Sequence, residues 1–342
     1  MEGHSHAVKK LVSVILIAGF FVAGLFALFL LWRGKVIELG EGVLASTVEA
    51  LVIRPLDRIR QPSGASLITS GNNDTRGRKV VPCGQSQGST AVVVTFGQSN
   101  AANISPKRRQ GVPGLINFNF LDGKCYAAAD PLLGASGEGG ALWTVLGNTL
   151  IARGVFKRVI LVPLAIGGTS VNRWSDRNDL GRRLDRLATS LRSAALSPTH
   201  ILWQHGAADH LAAPDYARLR PSEFTRSLET DRVKPYTMRE DAYREHFRSI
   251  VAHLRELGLQ ASVFVSVSTV CGDDGSGPVA NAQAALPKAV SGVRTGPNIN
   301  AFSLSDYHQD RCHLSDQGVV RAGQAWAEVL ALAAGNGTSN SR

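Results

Sequence analysis

The fold of this chain is decided by the stretch TAVVVTFGQSN at residues 90–100. It is an apolar, β-branched run that ends abruptly in Gly97, Gln98, Ser99 and Asn100. A short buried strand followed by glycine and polar residues is typical of the carboxyl edge of a parallel α/β sheet, where such sheets bind their ligands. The stretch therefore predicts a central strand with Ser99 at that edge, although a serine in an ordinary turn or helix N-cap has the same local sequence.

The rest of the chain continues this alternation of short apolar runs and helical patterns. Strands are predicted at residues 91–96, 159–165, 200–203, 261–267 and 298–302, and helices at 141–153, 180–195, 239–257 and 315–334. Strands that alternate with helices form βαβ units, which give a parallel sheet with helices on both faces. The sequence therefore predicts an α/β fold.

The charge of the chain favours some partners over others. The 342 residues carry a formal net charge of +10, from 37 Lys and Arg against 27 Asp and Glu. The basic residues are dispersed and are not interleaved with aromatic residues, which disfavours a nucleic-acid-binding surface. A basic surface of this kind suits an anionic glycan or lipid headgroups.

An uncharged apolar segment lies near the N-terminus, at residues 11–32. As a helix rising about 1.5 Å per residue it spans roughly the 30 Å core of a bilayer, and it exceeds the usual signal-peptide core of about 7–15 residues. We expect a single transmembrane anchor, with a cleaved signal peptide as the alternative. The expected organisation is a tail at 1–10, the anchor at 11–32, a membrane-proximal helix and linker at 33–79, a globular domain at 80–334 and a disordered tail at 335–342.

The four cysteines are Cys83, Cys125, Cys271 and Cys312, and no two of them form a C-x-x-C pair. This spacing is not that of a zinc ribbon or a thioredoxin-like site. In the cytosol they would be four free thiols, whereas outside the cytoplasm two disulfides are expected. Of the three possible pairings we favour Cys83 with Cys125 and Cys271 with Cys312. The expected location of the domain is extracytoplasmic, in a periplasm or at a cell surface.

Three further segments fall at predicted strand ends or in loops of the same edge. IGGTSVNRW at 166–174 follows a strand, and its glycines allow backbone amides to approach a developing oxyanion. WQHGAAD at 203–209 follows the next strand, and DRCH at 310–313 precedes the last helix. Asp310 can orient His313 within one turn and leave its second ring nitrogen free to take a proton from Ser99. Each segment by itself is also compatible with an ordinary turn.

In their order and spacing these segments resemble the motifs of the SGNH hydrolases, and more closely the sialate O-acetylesterase-like branch that includes carbohydrate acetylesterases. Residues 97–100 match the nucleophile motif, residues 167–170 with Trp174 resemble the second motif, and residues 310–313 match the terminal Asp-x-x-His. The resemblance covers most of the predicted domain. It implies a three-layer α/β/α sandwich with a five-stranded parallel sheet, in an SGNH or flavodoxin-like arrangement.

The same resemblance implies the chemistry of a serine esterase that needs no metal and no cofactor. Ser99 would be the nucleophile, His313 the general base and then acid, and Asp310 the group that orients the imidazole. The backbone amides of Ser99 and Gly168 would donate to the oxyanion.

The third motif departs from the family. The branch usually has Trp-x-Gln-Gly-Glu-x-Asp, and the wider superfamily supplies an Asn here as a third oxyanion donor. This chain has Gln204, His205 and Gly206, followed by Ala207 and Ala208. Either Gln204, His205 or Asn100 supplies the missing polar group, or the site is slow or inactive. The intact Ser99, Asp310 and His313 favour activity.

Other residues of these motifs are expected to bind substrate or to shape the loops. They are Gln98, Asn100, Gly206 and Asp209. Trp174 either packs inside the domain, which we favour, or lines a wall that binds sugar.

Three functions follow from this pattern. The first is a membrane-anchored, extracytoplasmic esterase that removes O-acetyl groups from a glycan, with the acetylated glycan and the membrane as its partners. The runner-up is an acyltransferase that passes the acyl group from the serine to a sugar hydroxyl. A noncatalytic glycan-binding protein on the same fold is the third, and the altered third motif favours it.

Overall fold

A computed structural model describes residues 69–84, 88–211, 237–272 and 274–338 of the chain. The strands are β1 (Thr90–Gly97), β2 (Leu115–Asn119), β3 (Lys124–Ala127), β4 (Arg158–Pro163), β5 (His200–Gln204), β6 (Ser262–Val267) and β7 (Val293–Asn298). The α-helices are α1 (Leu142–Ala152), α2 (Val171–Ser175), α3 (Gly181–Ser193), α4 (Ala207–Leu211), α5 (Glu240–Glu256), α6 (Pro278–Ala289) and α7 (Asp316–Thr338).

The strands form one sheet in the order β3-β2-β4-β1-β5-β6-β7. Neighbouring strands are parallel, except that β3 runs antiparallel to β2. β1 lies at the centre, where Val94 pairs with Val162 on one side and with Ile201 on the other. The predicted α/β class is confirmed, whereas the expected count of five parallel strands is wrong, because the sheet has seven strands and one is antiparallel.

The extra strands β2 and β3 form a hairpin at one edge of the sheet. Two asparagines interrupt the apolar pattern of β2, and both are buried. Asn117 accepts a hydrogen bond from the Leu133 amide at 2.6 Å, and Asn119 donates to the Asn73 side chain at 2.6 Å. These partners come from distant segments, so the sequence pattern did not reveal a strand.

The C-terminal strand also differs from its prediction. It is β7, whereas the predicted range 298–302 largely forms a short 3-10 turn at Ile299–Ala301. β7 contains Gly296 and Pro297, and such residues in a sequence predict a loop rather than a strand. Because β7 is an edge strand, a proline there costs little in missing hydrogen bonds. The pattern also missed α6, which begins at a proline.

Hydrophobic cores lie on both faces of the sheet, as alternation along β1 requires. Val92, Val94 and Phe96 belong to a cluster that includes side chains of α3, α5 and α6. Ala91 and Val93 point to the other face, where α1 and α7 pack together. The structure is therefore a three-layer α/β/α sandwich, as expected.

Residues 69–79 lie against the domain, although the sequence places them in the linker at 33–79. The Asn72 amide donates to the Ala135 carbonyl at 2.7 Å. Arg183, which is fully buried, donates to the carbonyls of Ser70 (2.7 Å), Leu164 (2.9 Å) and Gly134. Burial lowers the pKa of Arg183 to about 9.

The predicted ends of the chain are only partly within the described residues. α7 continues to Thr338, beyond residue 334 where its pattern predicts an end. The predicted tail at 1–10, the anchor at 11–32, most of the linker and residues 339–342 lie outside the described residues. Within the described ranges no helix is both long enough and apolar enough to cross a bilayer.

Both disulfides form with the favoured pairing. Cys83 is bonded to Cys125 on β3, and Cys271 is bonded to Cys312. The second bond joins the loop after β6 to the segment that carries His313. The prediction of two disulfides is confirmed.

Candidate active site

The position of Ser99 follows from how β1 ends. Gly97 has a φ of +136°, and a Cβ atom there would clash with the backbone of Gln204 on β5. Glycine therefore lets the chain leave the sheet at this point. Ser99 then begins a 3-10 turn, Ser99–Ala101, at the carboxyl edge of the central strand. Ser99 is thus half-buried and lies at the carboxyl edge of the sheet, where the sequence predicted it.

Ser99, His313 and Asp310 form a continuous chain of hydrogen bonds. His313 Nε2 lies 3.1 Å from Ser99 Oγ, and His313 Nδ1 lies 2.7 Å from Asp310 Oδ2. A carboxylate accepts hydrogen bonds, so Nδ1 carries the proton of a neutral ring and Nε2 is left as an acceptor for the Ser99 hydroxyl. This is the tautomer that a general base requires.

Asp310 is held as a carboxylate by its own loop. Its Oδ1 accepts hydrogen bonds from the amides of Cys312 (2.9 Å) and His313 (3.0 Å). Partial burial opposes ionisation, but these amides and the His313 side chain outweigh it and lower the pKa of Asp310. The carboxylate therefore remains charged where it orients the imidazole.

Asn100 clamps the segment that carries His313. Its Nδ2 donates to the Cys312 carbonyl at 2.9 Å, and its Oδ1 accepts from the Leu314 amide at 3.1 Å. The two bonds flank His313, and the disulfide Cys271–Cys312 ties the same segment to the loop after β6. Asn100 is therefore a loop-shaping residue, placed beside Ser99 by the 3-10 turn.

Two backbone amides are available for an oxyanion. Gly168 has a φ of +70°, the left-handed conformation that glycine adopts without strain. The amides of Ser99 and Gly168 donate no hydrogen bond to any atom of the described residues. A Cβ atom placed on Gly167 would lie 3.8 Å from Ser99 Cβ, so the loop that carries these glycines borders the serine. The arrangement can accept an ester carbonyl next to the nucleophile.

The third motif, residues 203–209, is hydrogen-bonded to Gln98, the residue before Ser99. Gln98 Oε1 accepts hydrogen bonds from the amides of Gly206 (3.2 Å) and Ala208 (3.0 Å). Asp209 accepts from the Val171 amide at 3.2 Å, which links the third motif to the start of α2. Gln98, Gly206 and Asp209 thus connect loops and lie among buried groups.

The candidate substitutes for the missing asparagine are all engaged elsewhere. Gln204 accepts from Trp326 Nε1 at 2.6 Å and donates to the Asn100 carbonyl at 3.4 Å. His205 is fully buried, and burial lowers its pKa to about 3. A carbonyl oxygen only accepts, so Nε2 donates to the Thr169 carbonyl at 2.8 Å, and Nδ1 lies 3.2 Å from Asp209 Oδ2. Asn100, as described, holds the His313 segment.

Trp174 packs inside the domain. It is fully buried, with edge-on ring contacts to Phe96 at 5.4 Å and Trp203 at 6.0 Å. Its Nε1 donates to Thr169 Oγ1 at 3.1 Å. Of the two interpretations of Trp174, the structure supports packing rather than a sugar-binding wall.

Comparison with solved structures places this site on a known fold. The match to a protein of Arabidopsis thaliana covers 72% of this chain and 99% of that protein, with 18% identity and a TM-score of 0.51. The chain shares its fold with that protein. The match to a carbohydrate acetylesterase from Xanthomonas citri covers 69% of this chain and 54% of that protein, with 14% identity and a TM-score of 0.41. The match to a lipase/acylhydrolase from Enterococcus faecalis covers 71% of this chain and 95% of that protein, with 10% identity and a TM-score of 0.43.

The likeness to the Arabidopsis thaliana protein concerns the fold and not the activity, because the identity is only 18%. No protein-family model matches the chain, and no curated protein matches it either.

Sequence reasoning missed Ser136, in the loop between β3 and α1. Its hydroxyl accepts a hydrogen bond from the Gly167 amide at 2.9 Å, at the loop that borders Ser99. Asn103 was missed as well, and its side chain fixes this loop through the backbone of Leu132 and Ala135. The available signal was the glycine-rich run SGEGG at 136–140, which directly precedes a helix.

Proposed function

We propose that this protein is a serine esterase that removes O-acetyl groups from a carbohydrate through an acyl-serine intermediate. The observation that carries the proposal is the hydrogen-bonded chain from Asp310 through His313 to Ser99, at a sheet edge where two backbone amides remain available. A nucleophile, an oriented base and oxyanion donors are together the requirements of acyl transfer.

The first half of the reaction forms the acyl-serine. Ser99 Oγ attacks the acetyl carbonyl carbon while His313 Nε2 takes the hydroxyl proton. The carbonyl oxygen becomes an oxyanion and accepts hydrogen bonds from the Ser99 and Gly168 amides. The bond to the sugar oxygen then breaks, and His313 returns the proton to the sugar hydroxyl that leaves.

The second half regenerates the enzyme. A water molecule replaces the sugar, and His313 Nε2 takes one of its protons as the water oxygen attacks the acetyl carbon. The second tetrahedral intermediate collapses, acetate leaves, and Ser99 Oγ recovers its proton from the imidazole. If a second sugar hydroxyl replaces the water, the same steps give acyl transfer.

The choice of a carbohydrate substrate is supported by the motifs and by the exposure of the site. The motifs resemble those of the branch that includes carbohydrate acetylesterases. The side chains of His313 and Asp310 are 39% and 48% exposed, so an acetyl group on a bulky glycan can reach the serine. The net charge of +10 suits an anionic glycan.

We also propose that the domain is anchored by residues 11–32 and works outside the cytoplasm. The length of the apolar segment supports the anchor. The two disulfides support an oxidising compartment, because reducing conditions in most cytosols keep thiols free.

The test is hydrolysis by the full-length protein of p-nitrophenyl acetate and of an acetylated sugar. We expect Ser99→Ala and His313→Ala each to lower kcat/KM by about 10³-fold or more. Ser249→Ala is the matched control, because Ser249 is an exposed serine on α5. Product analysis with an added glycan separates hydrolysis from transfer.

If the parent is no faster than Ser99→Ala, the esterase proposal fails. Glycan binding without catalysis is then the leading account, and the altered third motif is the observation that favours it. Binding of an acetylated glycan, measured by calorimetry, tests that alternative.

A further inference from the structure

This inference rests on the proposed esterase function and concerns the number of oxyanion donors. The resemblance implies a third donor from the third motif, but Ala207 and Ala208 have no polar side chain. The side chains of Gln204, His205 and Asn100 are hydrogen-bonded to other protein groups. A third donor, if the site has one, therefore comes from another element.

Ser136 is held firmly at the edge of the site. Its amide donates to the Ala165 carbonyl at 2.9 Å, and its carbonyl accepts from the Asn103 amide at 2.9 Å. It stands between Gly134 and Gly137, which both have positive φ and pack tightly against other backbone segments. These contacts fix the backbone of Ser136 to the end of β4 and to the turn that follows Ser99.

The Ser136 hydroxyl is oriented by the Gly167 amide. That amide donates to Ser136 Oγ at 2.9 Å, so the oxygen acts as an acceptor from this side. Within the described residues the hydroxyl donates to no acceptor. A hydroxyl carries one donor and two acceptor positions, so its proton remains available.

The hydroxyl and the nucleophile border the same space. A Cβ atom on Gly167 would lie 3.7 Å from Ser136 Oγ and 3.8 Å from Ser99 Cβ. Glycine at 167 leaves this space open, and the Gly168 amide, the second predicted oxyanion donor, follows directly. An acyl group attached to Ser99 has its carbonyl oxygen within a few ångströms of the serine.

We propose that the Ser136 hydroxyl is the third oxyanion donor and replaces the missing side chain of the third motif. It donates its proton to the carbonyl oxygen as negative charge develops there, together with the Ser99 and Gly168 amides. The hydrogen bond that Ser136 Oγ accepts from Gly167 polarises the hydroxyl and makes it a better donor.

The experiment compares full-length Ser136→Ala and Ser136→Thr with the parent and with Ser249→Ala. The measurements are kcat and KM for p-nitrophenyl acetate, the pH profile, the melting temperature and the inhibition constant of ethylboronic acid. A boronic acid forms a tetrahedral adduct with the serine and so imitates the intermediate.

We expect Ser136→Ala to lower kcat by about 10²-fold, the lower end of the loss for one oxyanion donor. Its affinity for ethylboronic acid should fall by a similar factor, while KM, the pH profile and the melting temperature stay near those of the parent. Ser136→Thr keeps a hydroxyl and should recover most of the loss.

A kcat of Ser136→Ala within threefold of the parent would overturn the proposal. It is equally overturned if kcat falls but boronic acid affinity does not, because that result assigns Ser136 to positioning the Gly167 loop. A parent no faster than Ser99→Ala is a different failure, since it removes the proposed esterase function itself.

Discussion

The clamp formed by Asn100 gives the sharpest prediction about this structure. Its two hydrogen bonds, to the Cys312 carbonyl and from the Leu314 amide, bracket the imidazole that contacts Ser99. Asn100→Ala removes both bonds. Asn100→Asp is nearly isosteric and keeps an acceptor for the Leu314 amide, but it places a carboxylate oxygen opposite the Cys312 carbonyl.

The expected loss in the free energy of unfolding of Asn100→Ala follows from the burial of the groups involved. Asn100 is 6% exposed and Leu314 is fully buried, so water does not readily replace the lost partner of the Leu314 amide. A buried polar group left unpaired costs about 1–3 kcal/mol. Asn100→Ala leaves the buried Leu314 amide without its partner, and also the partly buried Cys312 carbonyl, which costs less because water can reach it. We expect its free energy of unfolding to fall by about 2–4 kcal/mol. A displacement of the imidazole by about 1 Å would lower kcat by about 10²-fold.

The assay has three parts. Unfolding in urea is followed by the fluorescence of the four tryptophans of the described residues, all of them buried: Trp143, Trp174, Trp203 and Trp326. Hydrolysis of p-nitrophenyl acetate gives kcat, and hydrogen exchange reports on the Leu314 amide. This amide should exchange fast in Asn100→Ala and slowly in Asn100→Asp and in the parent.

A matched control comes from another asparagine clamp. Asn148 accepts from the Val112 amide at 2.9 Å and donates to the Gln110 carbonyl at 3.0 Å. Asn148→Ala should lose stability without losing kcat. The reasoning is refuted if Asn100→Ala keeps a protected Leu314 amide and a kcat within threefold of the parent.

Three further predictions concern stability. The Cys271→Ser, Cys312→Ser double variant opens a loop of about 40 residues, so its free energy of unfolding should fall by about 4 kcal/mol in denaturant titration; an unchanged midpoint contradicts this. Burial lowers the pKa of His200 to about 4, so between pH 6.5 and 4 only the unfolded chain takes up its proton. Its contribution to stability should therefore fall by about 2 kcal/mol from pH 7.5 to pH 5, and His200→Leu should lack that part of the total decrease. Arg183→Met leaves buried carbonyls unpaired and should lower the melting temperature while Arg182→Met, an exposed neighbour, does not.

Several elements of the fold were predictable because their patterns are local. β1, β4, β5 and β6 are apolar runs buried on both sides, and a run of that kind needs no knowledge of its neighbours. β2 and β7 were missed or misplaced because they contain Asn, Gly and Pro residues. Those residues are tolerated only because of a distant hydrogen-bond partner or an edge position.

In the candidate site, too, the contacts between residues close in sequence were predictable, and those between distant residues were not. Asp310 and His313 lie three residues apart, so their contact was predictable from spacing. The role of Asn100 was not, because its partners are more than 200 residues away in sequence. Ser136 contributes no motif and comes next to Gly167 only through the packing of two loops.

By itself the sequence determined the α/β class and the four central strands, favoured one disulfide pairing, and singled out Ser99, His313 and Asp310 as candidate site residues. Each of these depends on periodicity, on composition or on short spacing. Only the tertiary structure decided the seven-stranded order of the sheet, the burial of Trp174 and His205 and the position of Ser136 beside the serine. These depend on contacts between residues far apart in the chain, and the free energy of such contacts is set by burial and geometry that no local pattern records.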